Sequence, residues 1–245
     1  MARTRTAMIT GATGGIGKAV TISLAKRGFN VVVCYNKNQT LAENIVTEAK
    51  KYSNAIAVQA DLRKGVEVDD CFKKAREYFG KIDVLVTCAG VAHYQNFQDM
   101  TEEDFDYVCD TNFKSTALTI SKAIPDMLKL GWGRIVAISS IWGEIGGSGE
   151  VLYSATKSAV SGIVKALSKE LAHSSITVNA IAPGVVDTNM LEHFKGAERE
   201  YLLSQIPVGR FCTPDEVASL VCHLVSDDSQ YITGEIIQMT GGFIG

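Results

Sequence analysis

Short apolar segments alternate with longer amphipathic segments along almost all of the 245 residues. Strands that are apolar on both faces and separated by helices are typical of a parallel sheet covered on both sides. We therefore expect an α/β fold with a sheet of about seven strands. The predicted strands are Ala7–Thr10, Phe29–Tyr35, Ala55–Gln59, Ile82–Val86, Arg134–Ile138, Ile176–Ile181 and Glu235–Met239, and the predicted helices cover about 16–27, 40–51, 66–79, 102–127, 151–172 and 214–226.

No Pro/Gly/Ser-rich linker divides the chain and no internal repeat is evident, which predicts one doubly wound domain over residues 1–245. In such a sheet the ligand lies beyond the carboxyl ends of the strands. The distinctive segments follow strand ends: Gly11–Gly17, Cys88–Gly90, Ser140 and Pro183–Gly184.

The bulk properties exclude several classes of function. The formal net charge is −3 and no long basic run occurs, so nucleic acid is not an expected partner. No apolar stretch reaches the ~20 residues that span a bilayer, and the opening segment runs straight into a strand, so a cytoplasmic protein without membrane contact is expected. Six scattered cysteines and four histidines lack metal-ligand spacing, which predicts no metal.

Tyr153 and Lys157 are one helical turn apart, and Ser140 lies thirteen residues before Tyr153. A free tyrosine has a pKa near ~10, and a neighbouring ammonium favours the phenolate and lowers that pKa. With a serine hydroxyl to hold the reacting oxygen, these residues form an acid/base centre for interconverting a carbonyl and an alcohol. The alternative is a chance pair on an exposed helix face, so a cofactor site is needed to support the catalytic interpretation.

That cofactor site is indicated by Gly11, Gly15 and Gly17, which follow the first strand and open the first helix. Glycines allow backbone amides to approach a pyrophosphate at a helix N-terminus. In this strand–turn–helix context the pattern predicts a dinucleotide-binding, Rossmann-type domain, and the alternative is a tight turn without a ligand.

With these motifs the chain resembles the short-chain dehydrogenase/reductase family over nearly its whole length. The resemblance also covers Asn112 in Asp-Thr-Asn-Phe, and Pro183, Gly184 and Thr188 after the sixth strand. It implies that Tyr153 is the general acid in reduction, that Lys157 lowers its pKa and binds the nicotinamide ribose, that Ser140 holds the substrate oxygen, and that Asn112 positions a water for proton resupply.

The same resemblance implies which residues bind the cofactor. The family's usual Asn-Asn-Ala-Gly is replaced here by Thr87-Cys88-Ala89-Gly90, whose backbone contacts do not depend on the side chains. The expected cofactor-binding residues are Gly11, Ala12, Thr13, Gly14, Gly15, Ile16, Gly17, Asn36, Lys37, Asp61, Leu62, Cys88, Ala89, Gly90, Tyr153, Lys157, Pro183, Val186 and Thr188.

The end of the second strand predicts NADP(H) in preference to NAD(H). NAD enzymes place an acidic residue there for the ribose hydroxyls. Cys34-Tyr-Asn-Lys-Asn38 has no carboxylate, and Lys37 can attract a 2′-phosphate. The alternative is that Lys37 is merely solvated, and Gly14 stands where NADP enzymes often carry a cation in the glycine loop.

For the substrate, Pro207–Arg210, Tyr231–Glu235 and Gly241–Gly242 resemble family members that reduce 3-oxoacyl groups on acyl carrier protein. We therefore expect reduction of a ketone, foremost a 3-oxoacyl thioester, with acyl carrier protein a possible partner through Lys129 and Arg134. A carboxylate at Glu150 and the sequence His173-Ser-Ser175 disfavour an acidic carrier. The resemblance also implies a homotetramer.

The substrate lid is expected at about 188–210, where Met190, Leu191, Phe194 and Tyr201 have helical spacing and either cover a hydrophobic substrate or pack on the sheet. Two alternative functions stay open. One is a dehydrogenase/reductase of a small alcohol, sugar or polyketide-type ketone. The other is a dinucleotide-binding regulator without turnover, which would not need Asn112, Ser140, Tyr153 and Lys157 together.

Overall fold

The computed structural model describes residues 3–191 and 194–243. In these ranges seven strands form one wholly parallel sheet in the order β3-β2-β1-β4-β5-β6-β7. The predicted α/β fold with a doubly wound, Rossmann-type sheet is confirmed. The strands are β1 (Thr6–Thr10), β2 (Asn30–Tyr35), β3 (Ala55–Gln59), β4 (Val84–Thr87), β5 (Gly133–Ile138), β6 (Ile176–Pro183) and β7 (Ile236–Met239).

Helices cover both faces of this sheet. They are α1 (Gly15–Lys26), α2 (Gln39–Ala49), α3 (Gly65–Phe79), α4 (Glu102–Cys109), α5 (Ser115–Leu130), α6 (Trp142–Ile145), α7 (Val151–Leu171), α8 (Ala197–Ser204) and α9 (Pro214–Leu224). None of the described helices is both long and apolar enough to cross a membrane.

The strand residues divide between two apolar cores because successive side chains point to opposite faces. Ala7 and Ile9 of β1 pack with residues of α1, α2 and α9, whereas Met8 packs with residues of α3, α5 and α7. Every residue of β1, β2, β4, β5 and β6 is buried. Burial on both faces explains why these strands are continuously apolar in the sequence.

The strand order reverses at β1, which pairs with β2 on one side and β4 on the other. The connections that follow β1 and β4 therefore leave the sheet in opposite directions, and a crevice opens between them at the carboxyl edge. The glycine-rich turn after β1 and the Cys88–Gly90 segment after β4 meet at this point. The fold thus places the predicted cofactor residues where such sheets bind their ligands.

The prediction of a single long helix over 102–127 is wrong at residues 110–114. Residues Asp110–Lys114 form a π-turn between α4 and α5, and α5 continues through Pro125 to Leu130. The widened turn carries Asn112, whose side chain bonds to Val91 and Thr156 instead of pointing along the helix surface. A π-turn inside a helix frequently marks a functional site.

Two short helices, α6 and α8, were not predicted as elements. Of the residues proposed for the lid, Met190 and Leu191 lie in a 3-10 turn and Tyr201 lies in α8. The predicted lid also includes residues 192 and 193, which lie outside the described residues.

Candidate active site

Three segments bring the four predicted catalytic residues together at the carboxyl edge of the sheet. Tyr153 and Lys157 lie in the first two turns of α7, Ser140 follows β5, and Asn112 lies in the π-turn. All four are nearly inaccessible to solvent, with exposures of 8%, 5%, 7% and 0%. A chance pair on an exposed helix face is therefore excluded as the explanation of the Tyr153–Lys157 spacing.

The phenol of Tyr153 shares a hydrogen bond with Ser140, and the Ser140 Oγ also accepts one from the backbone amide of Trp142 at 3.2 Å. Burial raises the pKa of Tyr153 to about 12, the Ser140 bond lowers it, and the charge of Glu150 raises it further. The side chain is therefore a protonated phenol with its oxygen fixed beside a second hydroxyl. This arrangement suits a proton donor.

The ammonium of Lys157 lies 5.6 Å from the centre of the Tyr153 ring, and its Nζ donates to the Ile138 carbonyl oxygen at 2.9 Å. Burial lowers the pKa of Lys157 to about 8. The sequence predicts that Lys157 lowers the tyrosine pKa, but in the structure burial of the phenol dominates and Lys157 is not among the groups acting on it. The low-dielectric surroundings disfavour the charged form of both side chains, which raises the pKa of Tyr153 and lowers the pKa of Lys157.

Asn112 ties the π-turn to the segment after β4. Its Oδ1 accepts from the Val91 amide at 2.7 Å, and its Nδ2 donates to the Val91 carbonyl at 3.0 Å and to Thr156 Oγ1 at 3.1 Å. A side chain at Gly90 would place its Cβ 3.2 Å from Asn112 Oδ1 and 3.4 Å from Lys157 Nζ. Gly90 therefore lets the segment after β4 approach Lys157.

The glycine-rich turn packs against two of the other predicted segments. Gly11 has φ +59°, and a Cβ there would lie 2.6 Å from the Ala89 amide. A Cβ at Gly15 would lie 2.6 Å from Thr188 Cγ2. Gly14 is the N-cap of α1 and has no side chain to bond the first-turn amides, which also have no acidic neighbour in that turn. Those amides and the helix dipole form a cradle for a phosphate group.

A cavity of about 370 Å³ opens beside this turn. Predicted residues that line it are Gly11, Thr13, Asn36, Lys37, Asp61, Leu62, Ala89 and Gly90. Residues that were not predicted also line it: Cys34, Tyr35, Asn38, Ala60, Arg63, Val91, Tyr107, Thr111 and Ser115. Tyr107, Thr111 and Ser115 come from α4, the π-turn and α5; Thr111 stands beside Asn112 in Asp-Thr-Asn-Phe, whereas no local motif in the sequence marks Tyr107 or Ser115.

Asp61 and Arg63 form a bidentate pair at the wall of the cavity. Arg63 Nε and Nη2 donate to the two Asp61 oxygens at 2.9 and 2.7 Å, and the guanidinium lies 5.6 Å from the centre of the Tyr107 ring. The pair lowers the pKa of Asp61. Arg63 is a second cation near the end of β2 that sequence reasoning missed, although it stands two residues after Asp61.

The remaining predicted cofactor residues lie around the cavity rather than in its lining. Ala12 is buried and its amide donates to the Cys34 carbonyl at 3.1 Å, and the Cys88 amide donates to the Thr10 carbonyl at 3.2 Å. These backbone bonds hold both turns in place whatever side chain stands at position 88. Ile16 and Gly17 lie in the first turn of α1, while Pro183 ends β6.

The segment after β6 runs next to the glycine-rich turn. The Pro183 carbonyl accepts from the Ile141 amide at 2.9 Å, Val186 pairs with Cys212, and Thr188 contacts the position of Gly15. The turns after β1, β4, β5 and β6 thus surround one space. Its phosphate cradle, its glycine contacts and its cavity fit a nicotinamide dinucleotide, whose adenosine end would lie against Lys37 and Asp61.

Known proteins match the chain over almost its whole length. A family model described as enoyl-(acyl carrier protein) reductase matches residues 11–244. The 3-oxoacyl-(acyl-carrier-protein) reductase FabG of Staphylococcus aureus is 39% identical over 243 residues, 99% of each chain. The corresponding FabG of Thermotoga maritima is 37% identical over 238 residues, covering 97% of this chain and 96% of its own.

An oxidoreductase of Bacillus subtilis, YmfI, is 40% identical over 241 residues, 98% of each chain, and its activity is uncharacterised. Full-length identities of this size confirm the resemblance that the motifs indicate. The chain belongs to the short-chain dehydrogenase/reductase family and is an NAD(P)-dependent oxidoreductase that interconverts alcohol and ketone groups.

Proposed function

We propose that the protein is an NADPH-dependent reductase of 3-oxoacyl thioesters. The observation that carries this proposal is the buried Ser140–Tyr153–Lys157 cluster beside the cavity at the glycine-rich turn. The full-length similarity to proteins named 3-oxoacyl-(acyl-carrier-protein) reductase supports the substrate class.

The side chains suggest a division of labour in the reduction. Ser140 Oγ and Tyr153 Oη bind the substrate carbonyl oxygen, and Tyr153 donates its proton to that oxygen as negative charge develops there. The reduced nicotinamide supplies the hydride. Lys157, held on the Ile138 carbonyl, places a positive charge within reach of the phenolate left behind. Asn112 keeps Val91 and Thr156 in position around that lysine.

The charges at the end of β2 support NADP(H) as the cofactor. Asn36 and Lys37 line the cavity, no carboxylate lies among residues 34–38, and Asp61 is neutralised by Arg63. A 2′-phosphate would therefore meet Lys37 and the outer edge of the Arg63 guanidinium without a repelling charge. Because Gly14 supplies no cation in the glycine-rich turn, Lys37 and Arg63 are the main source of discrimination between NADPH and NADH.

We expect the acyl chain to bind between the segments that follow β5 and β6. Trp142 and Ile145 come from α6, and Met190 from the turn after Thr188. Ile145 and Met190 are about half exposed, at 47% and 46%. Exposed apolar side chains on the segments that follow Ser140 and Thr188 suit an acyl chain, so we propose residues 188–210 as the substrate lid.

The docking role expected for Arg134 is wrong. Its side chain is 1% exposed, its Nη1 donates to the Gly133 and Ser175 carbonyls at 2.8 and 3.2 Å, and its guanidinium stacks on Trp132 at 4.3 Å. A buried guanidinium cannot bind an acidic carrier at the surface. Lys129, the other cation expected to bind the carrier, is exposed and stays a candidate for that role.

A substrate panel tests the proposal. The purified protein is assayed for NADPH oxidation with acetoacetyl thioesters of coenzyme A and of acyl carrier protein, with sugars and with simple ketones, and each assay is repeated with NADH. The proposal expects the highest kcat/KM with a 3-oxoacyl thioester and NADPH. A sugar or simple ketone as the better substrate would overturn the substrate class, and a preference for NADH would overturn the cofactor. Sedimentation of the same sample tests the homotetramer that we propose from the family resemblance.

A further inference from the structure

Glu150 is a partly buried carboxylate that the proposed chemistry does not use. It is the N-cap of α7 and stands three residues before Tyr153, so both side chains belong to the first turn of that helix. Burial raises the pKa of Glu150. Glu150 is therefore a partly buried acidic side chain at the start of the helix that carries the Tyr153 phenol.

A chain of hydrogen bonds joins Glu150 to the predicted catalytic centre. The indole of Trp142 donates a hydrogen bond to the Glu150 carboxylate, and the backbone amide of Trp142 donates to Ser140 Oγ at 3.2 Å. Ser140 in turn bonds the Tyr153 phenol, and the charge of Glu150 acts on that phenol. Glu150 is therefore linked through Trp142 to Ser140 and Tyr153, the two groups expected to bind the substrate oxygen.

The surroundings fix this carboxylate in place. The Trp142 ring meets Phe243 edge-on at 5.5 Å between centres, and a Cβ at Gly147 would lie 2.9 Å from the indole. On the other side the Gly149 carbonyl accepts from the Gln95 amide at 2.8 Å. The turn before α7 is thus held between α6 and the segment after β4, which limits how far Glu150 can move from Tyr153.

Other titratable groups lie on the elements packed around α7, and their charges are occupied elsewhere or do not act on the phenol. The Glu144 carboxylate of α6 accepts from Ser161 Oγ at 2.7 Å, Asp110 and Lys114 of the π-turn pair with each other at 3.1 Å, and His93 bonds Gln95 at 2.8 Å. The other titratable groups on these elements are Glu102, Glu103, Asp104, Asp106, Tyr107 and Cys109 of α4, Lys122, Asp126 and Lys129 of α5, His173 after α7, and Cys88, Tyr94 and Lys157 near the site. Among the described residues, Glu150 is the charged side chain whose field acts on Tyr153.

We propose that Glu150 is a positioning residue that opposes ionisation of the Tyr153 phenol and so extends ketone reduction to higher pH. Reduction needs the protonated phenol, so its rate falls where Tyr153 ionises. A carboxylate one turn away makes that ionisation less favourable because two negative charges would lie close together. At the alkaline limit Glu150 is itself ionised, so its effect is complete there. This inference rests on the proposed reductase function.

The test is the alkaline limb of kcat/KM for ketone reduction in variants of Glu150. Glu150→Gln keeps the shape of the side chain and removes its charge, and we expect the limb to move to lower pH by about one unit. Glu150→Ser, a second neutral variant with a good N-cap residue, should give the same shift. The matched control is Glu144→Gln on the neighbouring helix, which should leave the limb where it is.

A second readout does not need turnover. The ionisation of Tyr153 is followed by near-ultraviolet absorbance in the NADP⁺ complex, as the difference between each protein and its matched Tyr153→Phe variant. Phenol titration at lower pH in both neutral variants supports the proposal, and an unchanged titration overturns it. If no ketone is reduced by any of these proteins, the proposed function fails while this titration still decides the role of Glu150.

Discussion

At the residue scale, burial is the dominant influence on the catalytic groups. It raises the pKa of Tyr153 to about 12 and lowers that of Lys157 to about 8. The spacing of the two residues is readable in the sequence, but their burial depends on contacts from distant segments such as Gly90 and Ser140. Sequence reasoning therefore finds the acid/base pair but not the burial that dominates the pKa of the tyrosine.

The first prediction concerns the buried ammonium of Lys157, which destabilises the folded protein. Replacing this buried ammonium by an apolar chain of similar length, Lys157→Met, should raise the free energy of unfolding at pH 7 by about 1–2 kcal/mol while it abolishes ketone reduction. The estimate allows for the hydrogen bond to the Ile138 carbonyl that the variant loses. Urea unfolding at pH 7 measures the difference.

The increase in the free energy of unfolding caused by Lys157→Met should depend on pH in one direction. The pKa of Lys157 is about 8, below its ordinary 10.5, so between these values the folded protein binds fewer protons than the unfolded chain. Wild-type stability from this group therefore rises with pH across that window, and the advantage of Lys157→Met should shrink. An advantage that grows from pH 8 to pH 10 would contradict the burial of this charge.

At the element scale, the alternation of apolar strands and helices was sufficient to predict the sheet, because burial on both faces leaves a direct pattern in the sequence. The π-turn was not predictable in the same way. Its residues Asp110–Lys114 continue a helical pattern, and the turn is explained by tertiary bonds from Asn112 to Val91 and Thr156. The residues of α4 and α5 that line the cavity were missed for the same reason.

The second prediction concerns this turn. Asn112→Ala removes three hydrogen bonds and leaves the Val91 amide and carbonyl without them, which should lower the free energy of unfolding by about 2–4 kcal/mol. Chemical denaturation measures the loss. The control is Thr111→Val, since the neighbouring Thr111 hydroxyl is buried without a partner in the described ranges and its loss should be nearly neutral. Equal losses in both variants would refute a special role for the Asn112 bonds.

At the scale of the whole molecule, the turns after β1, β4, β5 and β6 surround one crevice, so cofactor binding should stabilise the sheet as a unit. The alternation of strands and helices and the motifs after strand ends were enough to place this crevice at the carboxyl edge. The cation from Arg63 emerged only from the packing of the loop after β3 on α4. The cytoplasmic location and the homotetramer stay predictions.

The third prediction is a difference between the two cofactors in thermal unfolding. NADPH at about one hundred times its Kd should add about 2.7 kcal/mol, which is about 5–10 °C in Tm for a chain of this size. The same concentration of NADH should give a smaller rise. Lys37→Glu should remove most of the difference because it places a negative charge beside the 2′-phosphate. An equal or larger rise with NADH in the wild type would contradict the cofactor assignment.

The most direct test of the account is the loss of one oxygen atom from the catalytic centre. Tyr153→Phe keeps the ring in its buried position and removes the proton that Ser140 helps to hold. Steady-state ketone reduction and NADPH binding are measured on the same preparation. The account predicts a fall in kcat of at least about 100-fold with NADPH affinity unchanged, whereas undiminished reduction by the variant would contradict it.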